Sequence, residues 1–289
     1  LIKKCRERNI DIIEDEVTSI EIKNKNIISL NKKYKFNFYI DATGFKKLLI
    51  KKLGGKWKSY SKYLPMNEAI AFATKTTSRY PAYTLARAMK AGWMWRIPVQ
   101  DRWGNGYVFD NRYINAQQAK QEVEEYLGYE IEIGKNIKFD AGAIDKTWIG
   151  NCVAMGLSAN FIEPLEASSI GSCIQQSFLL INHLPNYNST AIEEYNKSCT
   201  VLFENIRDFV LMHYLCGKKN SRFWKDLSIK IPNNLKLNLK KWKDRLPVSE
   251  DFKSNYVLFY ETNFALFLKE LNLIKINKIK YEYKSKINK

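Results

Sequence analysis

Histidine is almost missing from this 289-residue sequence, and with it most ways of building a metal site. The two present, His183 and His213, have no acidic neighbour at ligand spacing and form no H-x-x-x-H pair. Five cysteines (Cys5, Cys152, Cys173, Cys199, Cys216) are odd in number, widely spread and free of any C-x-x-C pair. A metal site is therefore not expected, and reduced thiols of a cytoplasmic protein are. No apolar run approaches the roughly 18 residues of a spanning helix, which excludes a helical membrane segment. The opening, Leu1-Ile2-Lys3-Lys4-Cys5-Arg6-Glu7-Arg8, has no apolar stretch of signal-peptide length and no small-residue cleavage site. It lacks an initiator Met and starts mid-pattern, as expected of a piece whose true N-terminus lies elsewhere. Disorder is excluded too, because 17 Tyr, 15 Phe and 7 Trp supply more apolar area than a solvated coil carries.

Negative charge is scarce: 30 acidic residues face 47 basic ones, for a net +17. Such a balance raises nucleic-acid binding as a function. The basic residues, however, are 37 Lys and 10 Arg. Arg should lead at a base-reading or phosphate-clamping surface, because its planar fork binds bidentately. Lysine scattered with Asn and Ile fits genomic base bias better, so no specific nucleic-acid partner is expected. Asn188-Ser189-Thr190 and Asn196-Lys197-Ser198 match a glycosylation pattern that arises readily by chance.

The length suits one large domain or two ordinary ones. Alternation predicts strands at Ile10–Ile13, Thr18–Ile22, Ile27–Leu30 and Tyr34–Ile40, with Lys23-Asn24-Lys25-Asn26 as a hairpin loop. A short basic helix through Leu48, Leu49 and Leu53 should stop at Gly54-Gly55. Residues 66–109 read as a meander of strands, with Gly92 and Gly104-Asn105-Gly106 as punctuation. An Asn-capped helix from about Asn115 to Leu127 follows, then strands at 137–144 and 151–156. Apolar residues at i, i+3, i+4 and i+7 predict helices over Leu165–Leu184 and Ala191–Leu215, with further helices and a Lys-rich tail in the last stretch. Strand-rich first and helix-rich later, the order predicts an α+β fold. Residues 1–186 would form a sheet-containing body and 187–289 a helical region.

Three short segments carry chemistry. A strand ends in Asp41-Ala42-Thr43-Gly44-Phe45, where a Gly lets backbone approach a ligand closely; an ordinary strand-to-helix turn would look the same. Gly92-Trp93-Met94-Trp95-Arg96-Ile97-Pro98 puts Trp93, Trp95 and Ile97 on one strand face, as a pocket wall or as core, before Pro98 ends the strand. Gly156-Leu157-Ser158-Ala159-Asn160-Phe161-Ile162-Glu163-Pro164-Leu165-Glu166-Ala167-Ser168-Ser169-Ile170 joins a glycine turn to a carboxylate pair and a helix start. Free amides there favour an anion, although Glu166 in a first turn is also what dipole stabilisation selects.

Together and in this order, the three resemble the flavin-dependent tryptophan halogenases. That family carries a D-x-S/T-G-F turn, then G-W-x-W-x-I-P, then G-x-x-x-x-F-I/V-E-P-L-E-S/A-S/T. The W-x-W-x-I-P segment separates these halogenases from related flavin monooxygenases. The resemblance is clear over residues 1 to about 180 and looser in the helical remainder. The family begins with a βαβ unit bearing G-x-G-x-x-G, followed by a catalytic Lys, and neither is found here. The chain thus resembles the C-terminal part of a halogenase, a fragment expected to be inactive on its own, and none of its lysines is nominated as catalytic. Ala167 departs from the Ser usual in tryptophan-specific members.

The resemblance implies a hydroxybenzoate-hydroxylase-like FAD-binding scaffold and FADH2-dependent halogenation of tryptophan or another indole. Oxygen and reduced flavin would give a flavin hydroperoxide, and halide would convert this to hypohalous acid. Glu166 corresponds to the carboxylate that stabilises the cationic ring intermediate, with Glu163 read as structural in the turn. Ser168 and Ser169 correspond to the halide site. Asp41, Thr43, Gly44, Gly156, Leu157, Ser158 and Ala159 correspond to flavin-binding segments, and Trp93, Trp95, Ile97 and Pro98 to the region between flavin and tunnel. A separate flavin reductase would supply FADH2, and the family admits a homodimer. Substrate choice would fall to the helical region, where Phe203, Phe209, Tyr214, Trp224 and Tyr256 serve equally as core. An aromatic monooxygenase on the same scaffold, or a non-catalytic basic fragment, is the competing reading.

Overall fold

A computed structural model describes residues 1–76 and 81–274. Helix α1 (Ile2–Glu7) leads through an irregular stretch to the hairpin of β1 (Ile20–Lys23) and β2 (Asn26–Leu30). Strand β3 (Tyr39–Asp41) turns at Gly44 into helix α2 (Leu48–Lys52), followed by β4 (Trp57–Ser59). The meander is β5 (Glu68–Lys75), β6 (Leu85–Met89), β7 (Gly92–Pro98) and β8 (Arg102–Phe109). After α3 (Ala116–Leu127) come the short strands β9 (Lys135–Lys138), β10 (Gly142–Ile144), β11 (Trp148–Ile149), β12 (Cys152–Ala154) and β13 (Asn160–Phe161). Helices α4 (Ser168–His183), α5 (Ser189–His213), α6 (Arg222–Asp226), α7 (Asn233–Lys241) and α8 (Glu261–Glu270) complete the α+β fold. Among the described residues no helix is long and apolar enough to cross a membrane.

The largest sheet is antiparallel, in the order β6-β7-β8-β5-β9. Its alternation sorts side chains into two layers. Ile70, Phe72, Met94, Tyr107 and Phe109 face Ala119 and Val123 of α3, while Trp93 and Val108 face the main core. Helix α3 starts with a reciprocal cap: Asn115 Oδ1 accepts from the Gln118 amide and Gln118 Oε1 from the Asn115 amide, each at 2.9 Å. A second sheet runs β11-β12-β3, with β3 and β12 parallel, and a third runs β13-β10-β4. The main core runs from Ile27 through α2, β12, α4 and α5 to the last helices, continuous across residue 186.

Four sequence expectations need correction. Ile10–Ile13 forms no strand; Ile10, Ile12 and Ile13 are exposed and have no ladder partner, so alternation there has no face to bury. Of the strand expected over Tyr34–Ile40, only Tyr39 and Ile40 join a strand, which extends to Asp41. The strand expected at 137–144 is two strands of different sheets: up to Phe139, whose amide still bonds the Asn67 carbonyl, the chain follows β5, whereas the Ala141 carbonyl already accepts from the Tyr60 amide beyond β4. Strand β4 was not anticipated at all. The Lys-rich tail lies largely outside the described residues. Both asparagines of the glycosylation-like sites have structural roles. Asn188 Oδ1 caps α5 through the Ala191 amide at 3.0 Å, and Asn196 bridges Thr147 and Trp148.

Candidate functional site: a glycine-lined crevice and an aromatic cavity

Parallel strands β3 and β12 end together at Asp41 and Ala154, and ligands of such sheets bind beyond the carboxyl ends of the strands. The chain leaves β3 by a turn built on the fully buried Asp41 carboxylate. Its Oδ1 accepts from the Thr43 amide (3.0 Å) and hydroxyl (2.7 Å), and its Oδ2 from the Leu49 and Ile50 amides, both at 2.9 Å. Asp41 thereby caps α2, whose own N-cap residue offers no side-chain bond. The Ser158 hydroxyl lies 3.1 Å from Asp41 Oδ1 and 3.2 Å from the Gly44 carbonyl, so it ties the second glycine turn to the first. The Met155 amide donates to the Asp41 carbonyl, and Gln176 of α4 bonds both the Gly156 amide and the Ala154 carbonyl.

Gly44 (φ +66°) and Gly156 (φ +59°) are both left-handed, and no atom lies within 4 Å of where a Cβ would sit on either. The backbone there faces open space, as close approach of a nucleotide requires. Asp41, Thr43, Gly44, Gly156, Leu157, Ser158 and Ala159 are thus brought to one place. Within that group the side chains of Asp41, Thr43 and Ser158 are engaged with one another. The two glycine turns are the parts free to meet a ligand.

The second region grows from Glu163-Pro164-Leu165-Glu166. Residues Pro164–Glu166 make a single 3₁₀ turn, and Ala167 (φ +49°) redirects the chain into α4 at Ser168. No side chain caps that helix start, where Ser168 is buried and Ser169 half-buried. The two carboxylates meet opposite surroundings. Glu163 is fully buried; its Oε2 accepts from Trp93 Nε1 at 2.8 Å and from the Tyr214 hydroxyl at 2.5 Å, while Oε1 has no partner. Burial pushes its carboxyl up to about 7 in spite of the two donors. Glu166 is partly exposed, and its Oε1 lies 2.7 Å from His213 Nε2 at the end of α5. His213 Nδ1 lies 3.1 Å from the Phe209 carbonyl, and the Phe267 ring packs 4.1 Å from the imidazole.

Beside this pair is a cavity of about 370 Å³, lined by Trp93, Leu165, His213, Tyr214, Trp224 and Phe267 among others. An apolar, aromatic hollow with a few convergent polar groups is the usual form of a small-molecule site. Trp93 and Trp95 share a face with ring centroids 5.9 Å apart, and of the two Trp93 lines the cavity. The Trp95 indole lies over Gly106 of β8, where an added Cβ would come within 2.0 Å of the ring. Ile97 and Pro98 continue to the more exposed end of β7.

Of the aromatic residues considered for the helical region, Tyr214 and Trp224 line the cavity. Phe203 and Phe209 are core, and the Tyr256 hydroxyl accepts from Asn182. His213 was not singled out from the sequence as a partner of Glu166. The two lie 47 residues apart on separate elements, and no local spacing links them.

The fold is that of the flavin-dependent halogenases. The structure overlays on the crystal structure of the tryptophan halogenase of Shewanella frigidimarina with a TM-score of 0.89 at 26% identity, covering 95% of this chain and 56% of that one. A flavin-dependent halogenase from Xanthomonas campestris overlays at a TM-score of 0.82 and 30% identity, covering 91% and 55%. Residues 1–275 match the family described as tryptophan halogenase, and the chain belongs to that family. The tryptophan 6-halogenase of Streptomyces toxytricini is 31% identical over 261 residues, which make up 85% of this chain and 50% of that protein. The chain spans about half the length of the curated relatives it matches.

Proposed function

We propose that this chain forms the substrate side, and part of the flavin side, of an enzyme that halogenates an electron-rich aromatic ring, tryptophan or another indole. The observation that carries this reading is an aromatic cavity whose wall includes His213, the partner of Glu166 on the turn that opens α4. The left-handed turns at Gly44 and Gly156 fit FAD, because open backbone is what its phosphates and ribityl chain need. Reduced flavin held there would use oxygen to turn halide into hypohalous acid.

The chain's own residues then divide the work. Uncapped amides at Ser168 and Ser169 hold the halide at the positive end of α4. The rings of Trp93, Tyr214, Trp224 and Phe267 clamp a planar substrate and keep water from the oxidant. Glu166, oriented by His213, stabilises the positive charge that develops when the ring carbon bonds to halogen, and then accepts the ring proton. Aromatic C–H and hypohalous acid thereby become aromatic C–halogen and water. Trp95, Ile97 and Pro98 continue the wall beside Trp93. A separate reductase supplies FADH2 in the cytoplasm, and the chain alone is inactive.

The test joins the chain to the glycine-rich portion of the Streptomyces toxytricini relative and supplies FADH2, bromide and an indole. Bromide-dependent brominated product supports the reading. Hydroxylated product formed equally without bromide assigns the scaffold to aromatic monooxygenation, and halogenated product from the chain alone refutes its inactivity.

A further inference from the structure

Glu163 does not do what a turn residue does. It stands at the N-cap of the Pro164–Glu166 turn, yet its side chain bonds no backbone amide there. Instead one oxygen gathers two side-chain donors from distant elements, Trp93 on β7 and Tyr214 just beyond α5, 70 and 51 residues away. A fully buried carboxylate with its other oxygen unpaired is a costly device, and a turn alone does not need it. Both donors belong to rings that line the aromatic cavity. The Tyr214 ring in turn stacks on Trp224 at 6.1 Å, whose Nε1 is fixed by the Met89 carbonyl at 2.8 Å.

We infer that Glu163 is a positioning residue that locks Trp93 and Tyr214 into one rigid wall of the aromatic cavity, and so sets how tightly and in which pose an aromatic substrate is held. The inference rests on the reading of this cavity as the substrate site. Glu163 touches no substrate; it removes the freedom of two rings that would otherwise be lost on binding. Glu166 and Glu163 thus have separate tasks, one toward the substrate and one behind the wall.

The experiment uses the whole chain with indole as the probe, read by calorimetric titration, and follows the Trp93 indole N–H by NMR, assigned by its disappearance in Trp93→Phe. Glu163→Met keeps bulk and removes the acceptor. It should speed solvent exchange of the Trp93 N–H and weaken indole binding about tenfold, as expected when the bonds that anchor both rings are lost. Glu163→Gln retains an acceptor carbonyl and should rescue both. Tyr214→Phe should weaken binding, and combined with Glu163→Met it should add little, because both act through one contact. Unchanged N–H exchange in Glu163→Met, or additive losses in the double variant, overturns the inference. If Glu163→Met fails to fold, Tyr214→Phe alone decides: unchanged indole affinity and unchanged Trp93 N–H exchange overturn it. Phe267→Ala separates the two claims, since that ring lines the cavity and takes no part in the Glu163 bonds. Unaltered indole affinity there removes the cavity reading, while the N–H exchange still judges the clamp.

Discussion

Replacing Asp41 by Ala should destabilise the protein by about 2–6 kcal/mol. The carboxylate accepts bonds from the Leu49 and Ile50 amides at the start of α2, from the Thr43 amide and hydroxyl, and from Ser158. Ser158 can turn to the Gly44 carbonyl, so its loss is small. The two α2 amides have no such alternative in their buried surroundings, and each orphaned donor costs roughly 1–3 kcal/mol. Asp41→Asn is the sharper probe. It keeps the volume, but its NH₂ must face amide or hydroxyl donors on one side or the other, so it should cost at least about 2 kcal/mol. Urea unfolding followed by fluorescence gives both values from midpoint and slope. An Asp41→Asn variant within about 0.5 kcal/mol of the parent would show that the turn does not depend on a two-sided acceptor, and the preorganised glycine crevice would lose its basis.

Glu163 makes stability depend on pH. Its folded carboxyl titrates near 7 against 4.5 ordinarily, so between these values the native state keeps a proton the unfolded chain has released, and stability falls as pH rises through this window. The fall should approach about 3 kcal/mol; urea midpoints at pH 5 and pH 8 should show it, and Glu163→Gln should remove it. Part of any remaining slope belongs to Asp208, which burial raises to about 6 against the pull of Arg207. Trp95→Phe should leave the melting curve nearly unchanged while lowering the ratio of halogenated product to oxygen consumed, measured in the chain joined to the glycine-rich portion. An unchanged ratio would make Trp95 core only.

Much of the fold is legible because its signals are local. The Asn115 cap, the meander punctuated by Gly92 and Gly104-Asn105-Gly106, and the 3.6-residue periodicity of α4 and α5 each depend on neighbours in sequence. The failures share one cause: a partner the sequence does not name. Ile10–Ile13 alternates like a strand but has nothing to pair with, while Trp57–Ser59 becomes one because β10 is there to receive it. The site divides in the same way. Asp41 through Phe45, the Trp93–Pro98 strand and the Glu163–Ser169 stretch announce themselves as motifs. The burial of Glu163 between Trp93 and Tyr214, and the pairing of Glu166 with His213, arise only when α5 folds back over the turn.

The central claim is that Glu166, held by His213 at the aromatic cavity, is the carboxylate of a halogenation site. Single-turnover rates and indole affinity of Glu166→Gln, in the chain joined to the glycine-rich portion and supplied with FADH2 and bromide, test it most directly. The account predicts a rate lower by about 10²–10³ with indole affinity and melting temperature close to the parent. A Glu166→Gln variant that halogenates at the parental rate would contradict it.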